Sequence, residues 1–554
     1  MKLREAIAEV FLREGVSTLF TLMGDGNMDW SVDMDRRGTH LVHARHEHAA
    51  VAMADGYARA LPGEVGVASV THGPGVTQLG TALAVAARNR TPMVVFVGDT
   101  AIDAAYHVQE FDPGPFVRST GAEIVEVRTV GQALTDTREA FRRARVDSSP
   151  VVLSIPVDLQ ETEVGDDLEA LVPPPLTPRV DAIPAHPDAV TEVADLLEGA
   201  ERPVIVAGRG AKLAGAKDAI VALAERTGAL LANSLEAIGI FDGEDADMGV
   251  CGGYTHRDNR PVFARADLVI GVGARMGRFT TDGAKLFGDA HRVQIDLDPV
   301  GYVEGIEVAD TYVRGDARLT VEAIDAELDR RGVTSRTGFR TAEVLAAIAD
   351  RTPDVEIHDP ALEEGTLDPR HVAAEVNRLL GDDALVVLAC GHFWYFLISE
   401  FSGRGAESYV MAYHFAAIGQ GISTAIGVAV ARPDKRVVLF EGDGSFLMHV
   451  QELETIRRQG IEVLSVLFND GAYGAEVHKM SAYRGDGSPA VFGRPDLAAI
   501  AEGFGVTGHT VTALDELAGP MKAFDATGES AVIDVHTSVT VISESYRRLH
   551  HGET

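Results

Sequence analysis

Short, almost unbroken apolar runs recur along the chain and alternate with longer stretches whose apolar residues return at helical spacing. Over residues 1–165 the runs fall at 18–22, 65–70, 93–97 and 151–155. A strand buried on both faces reads this way, and its alternation with helices predicts a doubly wound parallel sheet. An acidic, Pro-rich stretch follows over 161–187, with Pro173, Pro174 and Pro175 in succession. It cannot pack as a helix and reads as a linker, taken as 166–187. The rhythm resumes over 188–335, with strands at 203–207, 268–272 and 292–297 and a helix at 211–227. A polar, partly irregular stretch, 336–367, reads as a second linker. The last unit, 368–554, has strands at 384–388, 437–440 and 463–468 and a helix at 450–459. The expected fold class is α/β, with three doubly wound parallel-sheet domains, the central one Rossmann-like and the outer two sharing one fold.

Candidate chemistry concentrates in the last unit. Gly442-Asp443-Gly444-Ser445 leaves one buried strand, and Asp470-Gly471-Ala472-Tyr473-Gly474 leaves the next. Parallel strands joined by a helix bring their carboxyl ends to one sheet edge, where open α/β sheets bind ligands, so Asp443 and Asp470 should meet there. Two carboxylates and a turn carbonyl at Ala472 make half of an octahedral Mg²⁺ shell, and a diphosphate can supply most of the rest. The helix N-terminus after Ser445 suits that diphosphate. Two other copies of Gly-Asp-Gly serve as controls, at Gly24-Asp25-Gly26 and Gly485-Asp486-Gly487. At the spacing that separates Asp443 from Asp470, those copies offer only Ala52 and Ala513, which have no ligating side chain. In the central unit Gly208-Arg209-Gly210 lacks the third small residue of a dinucleotide fingerprint and reads as a structural turn.

Composition narrows the class. A chain of 554 residues with 46% apolar content suits about three globular domains. Its net charge of −34 argues against nucleic acid and anionic membrane as partners. An acidic protein holding an anionic cofactor needs a cation between them, in agreement with the proposed metal. Two distant cysteines, Cys251 and Cys390, imply no disulfide framework. Residues 1–14 carry Leu3, Ile7, Val10 and Phe11 at helical spacing and lack the core of a signal peptide, and no run is long enough to span a membrane. A cytoplasmic protein is expected.

The Asp443 to Asp470 segment resembles the metal and diphosphate motif of thiamine diphosphate (ThDP) enzymes of the acetolactate synthase, benzoylformate decarboxylase and pyruvate oxidase superfamily. That pattern has Asn-Asn at the second strand's end, and Asp470 stands where the second Asn is the usual metal ligand. The order of units also resembles this superfamily: pyrimidine-binding domain 1–165, central domain 188–335, diphosphate-binding domain 368–554. Ala44-Arg45-His46-Glu47-His48-Ala49-Ala50 resembles the stretch whose Glu hydrogen-bonds N1′ of the aminopyrimidine. The resemblance implies that Glu47, its pKa raised by burial among apolar helix residues, shares a proton with that ring; a surface carboxylate favouring the helix dipole is the alternative. Ile418 falls where the family carries a bulky residue that bends the cofactor, or is simply core. Gly391 and His392 match the loop placed against the diphosphate, and Gly442, Gly444, Ser445, Ala472, Tyr473 and Gly474 complete the implied cofactor contacts.

On the substrate side, Thr71-His72-Gly73-Pro74-Gly75 resembles the family's Thr-Ser-Gly-Pro-Gly. His72 either moves protons at a substrate carbonyl or caps the following helix. Gln109 matches the Gln that lies near the reacting carbonyl in acetolactate synthases. Asp25 and Asn27 either face a polar substrate or form their turn. Tyr254, His256 and the run Phe393-Trp394-Tyr395-Phe396 are candidate pocket or core residues, and 476–495 and the tail from Ser538 are candidate lids. The resemblance implies a ThDP- and Mg²⁺-dependent carboligase or decarboxylase acting on a 2-oxo acid through an enamine, acetolactate synthase-like. A benzoylformate decarboxylase- or benzaldehyde lyase-like enzyme and a non-catalytic ThDP-binding regulatory protein are the alternatives. FAD is possible in the central domain but unsupported by a decisive motif. The family further implies a homodimer or homotetramer with active sites between subunits and a 2-oxo acid or aldehyde as substrate.

Overall fold

The computed structural model describes residues 1–172, 174, 181–352 and 360–551. The first sheet contains β1 (Thr18–Thr21), β2 (His40–His43), β3 (Gly66–Val70), β4 (Met93–Asp99), β5 (Glu123–Glu126) and β6 (Pro150–Pro156), ordered β2-β1-β3-β4-β6-β5. The central sheet contains β7 (Pro203–Ala207), β8 (Leu230–Asn233), β9 (Asp247–Val250), β10 (Leu268–Val272) and β11 (His291–Asp296). A small antiparallel hairpin, β12 (Tyr302–Val303) and β13 (Ile306–Glu307), precedes its last strand, β14 (Thr311–Arg314). The central order is β14-β11-β10-β7-β8-β9, the doubly wound dinucleotide-fold order. The third sheet contains β15 (Ala384–Ala389), β16 (Tyr409–Ala412), β17 (Arg436–Gly442), β18 (Val463–Asn469), β19 (Thr507–Val511) and β20 (Ala531–His536). Its order, β16-β15-β17-β18-β20-β19, repeats that of the first sheet strand for strand.

The apolar runs become the central strands: β3, β17 and β18 are buried almost throughout, as parallel strands covered by helices on both faces must be. Buried residues of the first and third domains form one continuous core, from Phe20 and Val70 to Val438 and Val466. Its seam is the crossing of helix Glu47–Ala60 with helix Gly421–Ala431. A Cβ at Gly56 would run into the Thr424 carbonyl, and one at Gly427 into that of Met53. The two backbones therefore touch, and both positions require glycine.

Three local expectations change, the first being the helix expected at 211–227, which is two, Arg209–Leu213 and Lys217–Thr227. The stretch read as unable to pack as a helix forms one short turn, Leu168–Leu171, started by Asp167 accepting from the N–H groups of Glu169 and Ala170. Of the Pro173, Pro174 and Pro175 run, only Pro174 falls within the described residues. The helix expected at 450–459 runs Glu452–Gln459, with a separate short helix at Asp443–Phe446.

Candidate active site

In open α/β sheets ligands sit where strand order reverses, beyond the carboxyl ends of the strands. In the third sheet that point lies between β15 and β17, and the loops there carry Gly391 and His392 on one side and Gly442 to Ser445 on the other. The loop after β18 adds Asp470 to Gly474. Asp443 is buried; its Oδ1 accepts from the N–H of Gly444 (2.8 Å) and its Oδ2 from that of Gly471 (2.9 Å). Asp470 Oδ1 accepts from the N–H of Ala472 (3.1 Å). Burial pushes the Asp443 carboxyl up to about 7. Burial and then the charge of Asp443 raise that of Asp470 well above its ordinary value.

Two carboxylates that disfavour each other's charge in one cavity fit a cation between them. Among the described residues no group of three His, Cys, Asp or Glu side chains could hold a metal. A cation here could take the two carboxylates and the carbonyl of Ala472 and would need a bound ligand to complete its shell. The glycines provide room: a Cβ at Gly444 would lie 2.7 Å from the Tyr473 ring, and one at Gly391 would lie 2.6 Å from that of Phe393.

These residues line a cavity of about 1220 Å³ that reaches the central sheet's own switch point, where Gly210 follows β7 and Gly273 follows β10. Gly391, His392, Ile418, Gly442, Asp443 and Gly444 border it, as do Ser445, Asp470, Ala472, Tyr473 and Gly474. Ile418 projects from a loop in which Phe415 and Ala416 hold left-handed φ values of 65° and 52°, a strained backbone that persists only where its surroundings enforce it. Enforcement is visible at Gly419, whose N–H donates to Ser445 Oγ (2.7 Å), while the Ser445 hydroxyl donates to Glu441 Oε1 (2.5 Å).

Trp394, Tyr395 and Tyr254 form an aromatic wall, with Tyr254 5.6 Å from Trp394 and 5.2 Å from Tyr395 between ring centres. Phe393 also packs inward on Phe468. The tail reaches the same cavity: Tyr546 lies against His392, and its hydroxyl donates to the Ala475 carbonyl (2.6 Å). His256 stays away from the cavity wall, its Nε2 3.0 Å from the Thr352 carbonyl oxygen, so its ring braces a loop.

The first sheet's switch point, between β1 and β3, gathers the substrate-side residues. Asp25 is exposed on the loop after β1, and His72 is buried on the loop after β3. Neither ring nitrogen of His72 has a hydrogen-bond partner, so the ring caps no helix. Burial lowers its pKa, and the ring stands neutral beside His107, 4.9 Å away between centres. The Gln109 Oε1 atom is likewise buried without a partner. Asn27 is committed to its turn: its Nδ2 donates to Ser69 Oγ (2.9 Å) and the Leu22 carbonyl (3.2 Å), and its Oδ1 accepts from the N–H of Gly24 (2.8 Å). Glu47 opens helix Glu47–Ala60 and is half-buried rather than enclosed by apolar helix residues, because the helix starts at the rim of its domain.

Glu47, Asp25, His72 and Gln109 do not line the diphosphate-side cavity of their own chain. The two groups of candidate residues thus share no cavity within the chain. Sequence reasoning passed over Glu452, Gln420, His449 and Glu441, which tie the two domains and the Ile418 loop together. For Glu452, Gln420 and His449 the signal is a contact between residues some four hundred positions apart, which no local spacing encodes, whereas Glu441 acts locally on Ser445 and Gly421.

Comparison with known proteins follows the same division. Residues 1–114 match the N-terminal TPP binding domain of thiamine pyrophosphate enzymes, 190–324 their central domain and 392–535 their C-terminal TPP binding domain. The chain is 30% identical to the acetolactate synthase large subunit of Parasynechococcus marenigrum, over 96% of this chain and 86% of that protein. It is 26% identical to the acetolactate synthase large subunit of Haemophilus influenzae, over 96% and 94%. It is 28% identical to the sulfoacetaldehyde acetyltransferase of Castellaniella defragrans, over 94% and 90%.

Proposed function

We infer the reaction from one premise: this chain belongs to the thiamine pyrophosphate enzyme family. It is a ThDP-dependent enzyme that forms or cleaves a carbon–carbon bond. The finer reading is an acetolactate synthase-like carboligase or decarboxylase acting on a 2-oxo acid, with Mg²⁺ as the companion ion. The observation that carries it is the buried Asp443 and Asp470 pair at the third sheet's switch point.

When bound, ThDP supplies an electron sink for the bonding pair left behind when a carboxylate group departs as carbon dioxide. Asp443, Asp470 and the Ala472 carbonyl would hold the companion cation, whose charge would offset that of the diphosphate. Ile418, on its braced loop, would pack against the cofactor and position it. Glu47 would share a proton with the pyrimidine N1′ atom. His72, neutral and with both nitrogens free, donates or accepts a proton at the substrate carbonyl oxygen, and Gln109 orients that carbonyl. Asp25 hydrogen-bonds a polar substrate group at the same rim.

The half-sites meet only if a second copy is present, so the working unit is at least a homodimer. The faces beside each half-site support this. Ile102, Tyr106 and Val108 are exposed on the segment that carries Gln109, and Tyr473, Val491 and Phe492 are exposed beside the loop that carries Asp470, apolar side chains that a second copy would cover. Among the described residues no helix is long and apolar enough to cross a membrane. Replacement Glu47→Gln tests the reading: cofactor binding is retained and turnover falls by about 10²–10⁴-fold, the usual worth of a positioned acid or base. Wild-type turnover in that variant overturns it.

A further inference from the structure

The residues flanking Glu47 are held by the third domain of the same chain. The N–H of Ala44 donates to the Thr21 carbonyl (3.0 Å), the last bond of the segment to its own sheet. The next N–H, that of Arg45, leaves the first domain and donates to both oxygens of Glu452 (3.0 and 3.3 Å). Glu452 opens helix Glu452–Gln459 and is fully buried. Thr455 Oγ1 donates to its Oε2 (2.7 Å), which fixes the carboxylate's orientation.

Neighbouring contacts follow the same route. Arg458 donates to the His43 carbonyl (2.6 Å), and Arg45 Nε donates to Glu454 Oε2 (2.5 Å). On the other side of Glu47, the Gln420 amide lies 2.7 Å from His48 Nε2. Further along, the backbone contacts at Gly56 and Gly427 fix the body of helix Glu47–Ala60. The direction of its first residue is then set by where Arg45 is caught.

We propose that Glu452 is a positioning residue for Glu47: by accepting the Arg45 N–H it fixes the exit of the chain from β2 and hence the aim of the Glu47 carboxyl group. The inference rests on the reading of Glu47 as the pyrimidine partner. Glu452 lies within the diphosphate-binding domain, yet it serves the opposite half-site. Each third domain thus holds a cofactor on one face and aims, on another, the acid that acts on a neighbouring copy's cofactor. A buried carboxylate whose acceptors are used on one backbone amide and one hydroxyl is poorly explained as a general stabiliser, because an apolar side chain of similar size would fill the space at lower desolvation cost.

The test uses the full-length protein with ThDP and Mg²⁺. Glu452→Asp withdraws the carboxylate by one methylene, whereas Glu452→Gln keeps an acceptor in place. Deuterium exchange at C2 of bound ThDP, read by NMR after acid quench, reports the aim of Glu47 without any substrate. In Glu452→Asp it slows by about 10–100-fold, the scale of a displacement near 1 Å, with ThDP affinity nearly unchanged. In Glu452→Gln it stays near wild type. Without cofactor, the Arg45 amide loses its protection against hydrogen exchange in Glu452→Asp and keeps it in Glu452→Gln. A wild-type C2 exchange rate in Glu452→Asp overturns the proposal. Glu47→Gln is the control: if it too exchanges at the wild-type rate, the reading of Glu47 fails, and if it alone loses exchange, only the role of Glu452 fails. Should Glu452→Asp not fold, Thr455→Val releases the carboxylate's orientation and must slow exchange as well, and a wild-type rate there overturns the proposal equally.

Discussion

Burial, and after it the charge of Asp443 just beyond the neighbouring strand, push the carboxyl group of Asp470 well above its ordinary range. Both side chains face the same cavity, and among the described residues both carboxylates accept from backbone N–H groups, those of Gly444 and Gly471 for Asp443 and that of Ala472 for Asp470. The pair is therefore a like-charge conflict that a divalent cation resolves.

Asp470→Asn removes one side of that conflict and keeps an oxygen ligand. It should retain ThDP binding in the presence of Mg²⁺. Asp443→Ala should weaken cofactor binding about 10–100-fold, the size of one lost charge-assisted contact. Isothermal titration with and without chelator measures both, and complete loss of binding in Asp470→Asn shows that its carboxylate has another role.

Two half-sites on one chain make a prediction about mixtures. Glu47→Gln and Asp443→Ala should each be nearly inactive alone. Subunit exchange between them should restore activity, because half of random dimers are mixed and one of the two sites in each is intact, about a quarter of all sites. An active site built within one chain gives no recovery.

Glu452 makes stability depend on pH. Burial pushes its carboxyl up to about 7 from an ordinary 4.5. Between those values the folded chain keeps a proton that the unfolded chain releases, so this contribution is full below 4.5 and is lost as pH rises through 7. Glu452→Gln removes it. Thermal unfolding of the variant should therefore gain on wild type from pH 5 to pH 8, by on the order of 2–3 kcal/mol. A constant difference across that window contradicts the assignment. The Arg45 contact persists on both sides of it, since a neutral carboxyl still accepts an N–H.

The helix crossing predicts opposite outcomes for one substitution type. Gly427→Ala forces a methyl group into the Met53 carbonyl and should destabilise by about 1–3 kcal/mol, as overpacking does. Gly519→Ala, in helix Ala518–Thr527 with nothing within 4 Å of the new carbon, should stabilise by about 0.4–1 kcal/mol. Denaturant melts of both variants give the comparison.

The parts of this molecule readable from sequence are those whose cause is local. A parallel strand covered on both faces is an apolar run wherever it occurs, so β3, β7, β10, β17 and β18 were visible, and with them the two Asp residues at adjacent strand ends. The strand order shared by the outer sheets was not legible, because the central unit has the same rhythm and a different order. Glu452 was hidden because its partner, the Arg45 amide, is distant in sequence and a backbone donor leaves no side-chain signal. His72 was ambiguous because a capping ring and a free one have the same neighbours in sequence, and only its two unpartnered nitrogens separate them. Glu47 was expected to be enclosed by its own helix, but the first residue of a helix at a domain rim has only half its surroundings within the chain.

Carbon dioxide release is the measurement closest to the central claim. Purified protein is supplied with ThDP and Mg²⁺ and offered pyruvate, oxaloacetate and benzoylformate in turn, with products analysed for new carbon–carbon bonds. The account predicts release from at least one 2-oxo acid, abolished by omitting ThDP, by chelating the metal or by Glu47→Gln. Tight binding of ThDP and Mg²⁺ with no release or ligation from any member of a broad 2-oxo acid panel would contradict it.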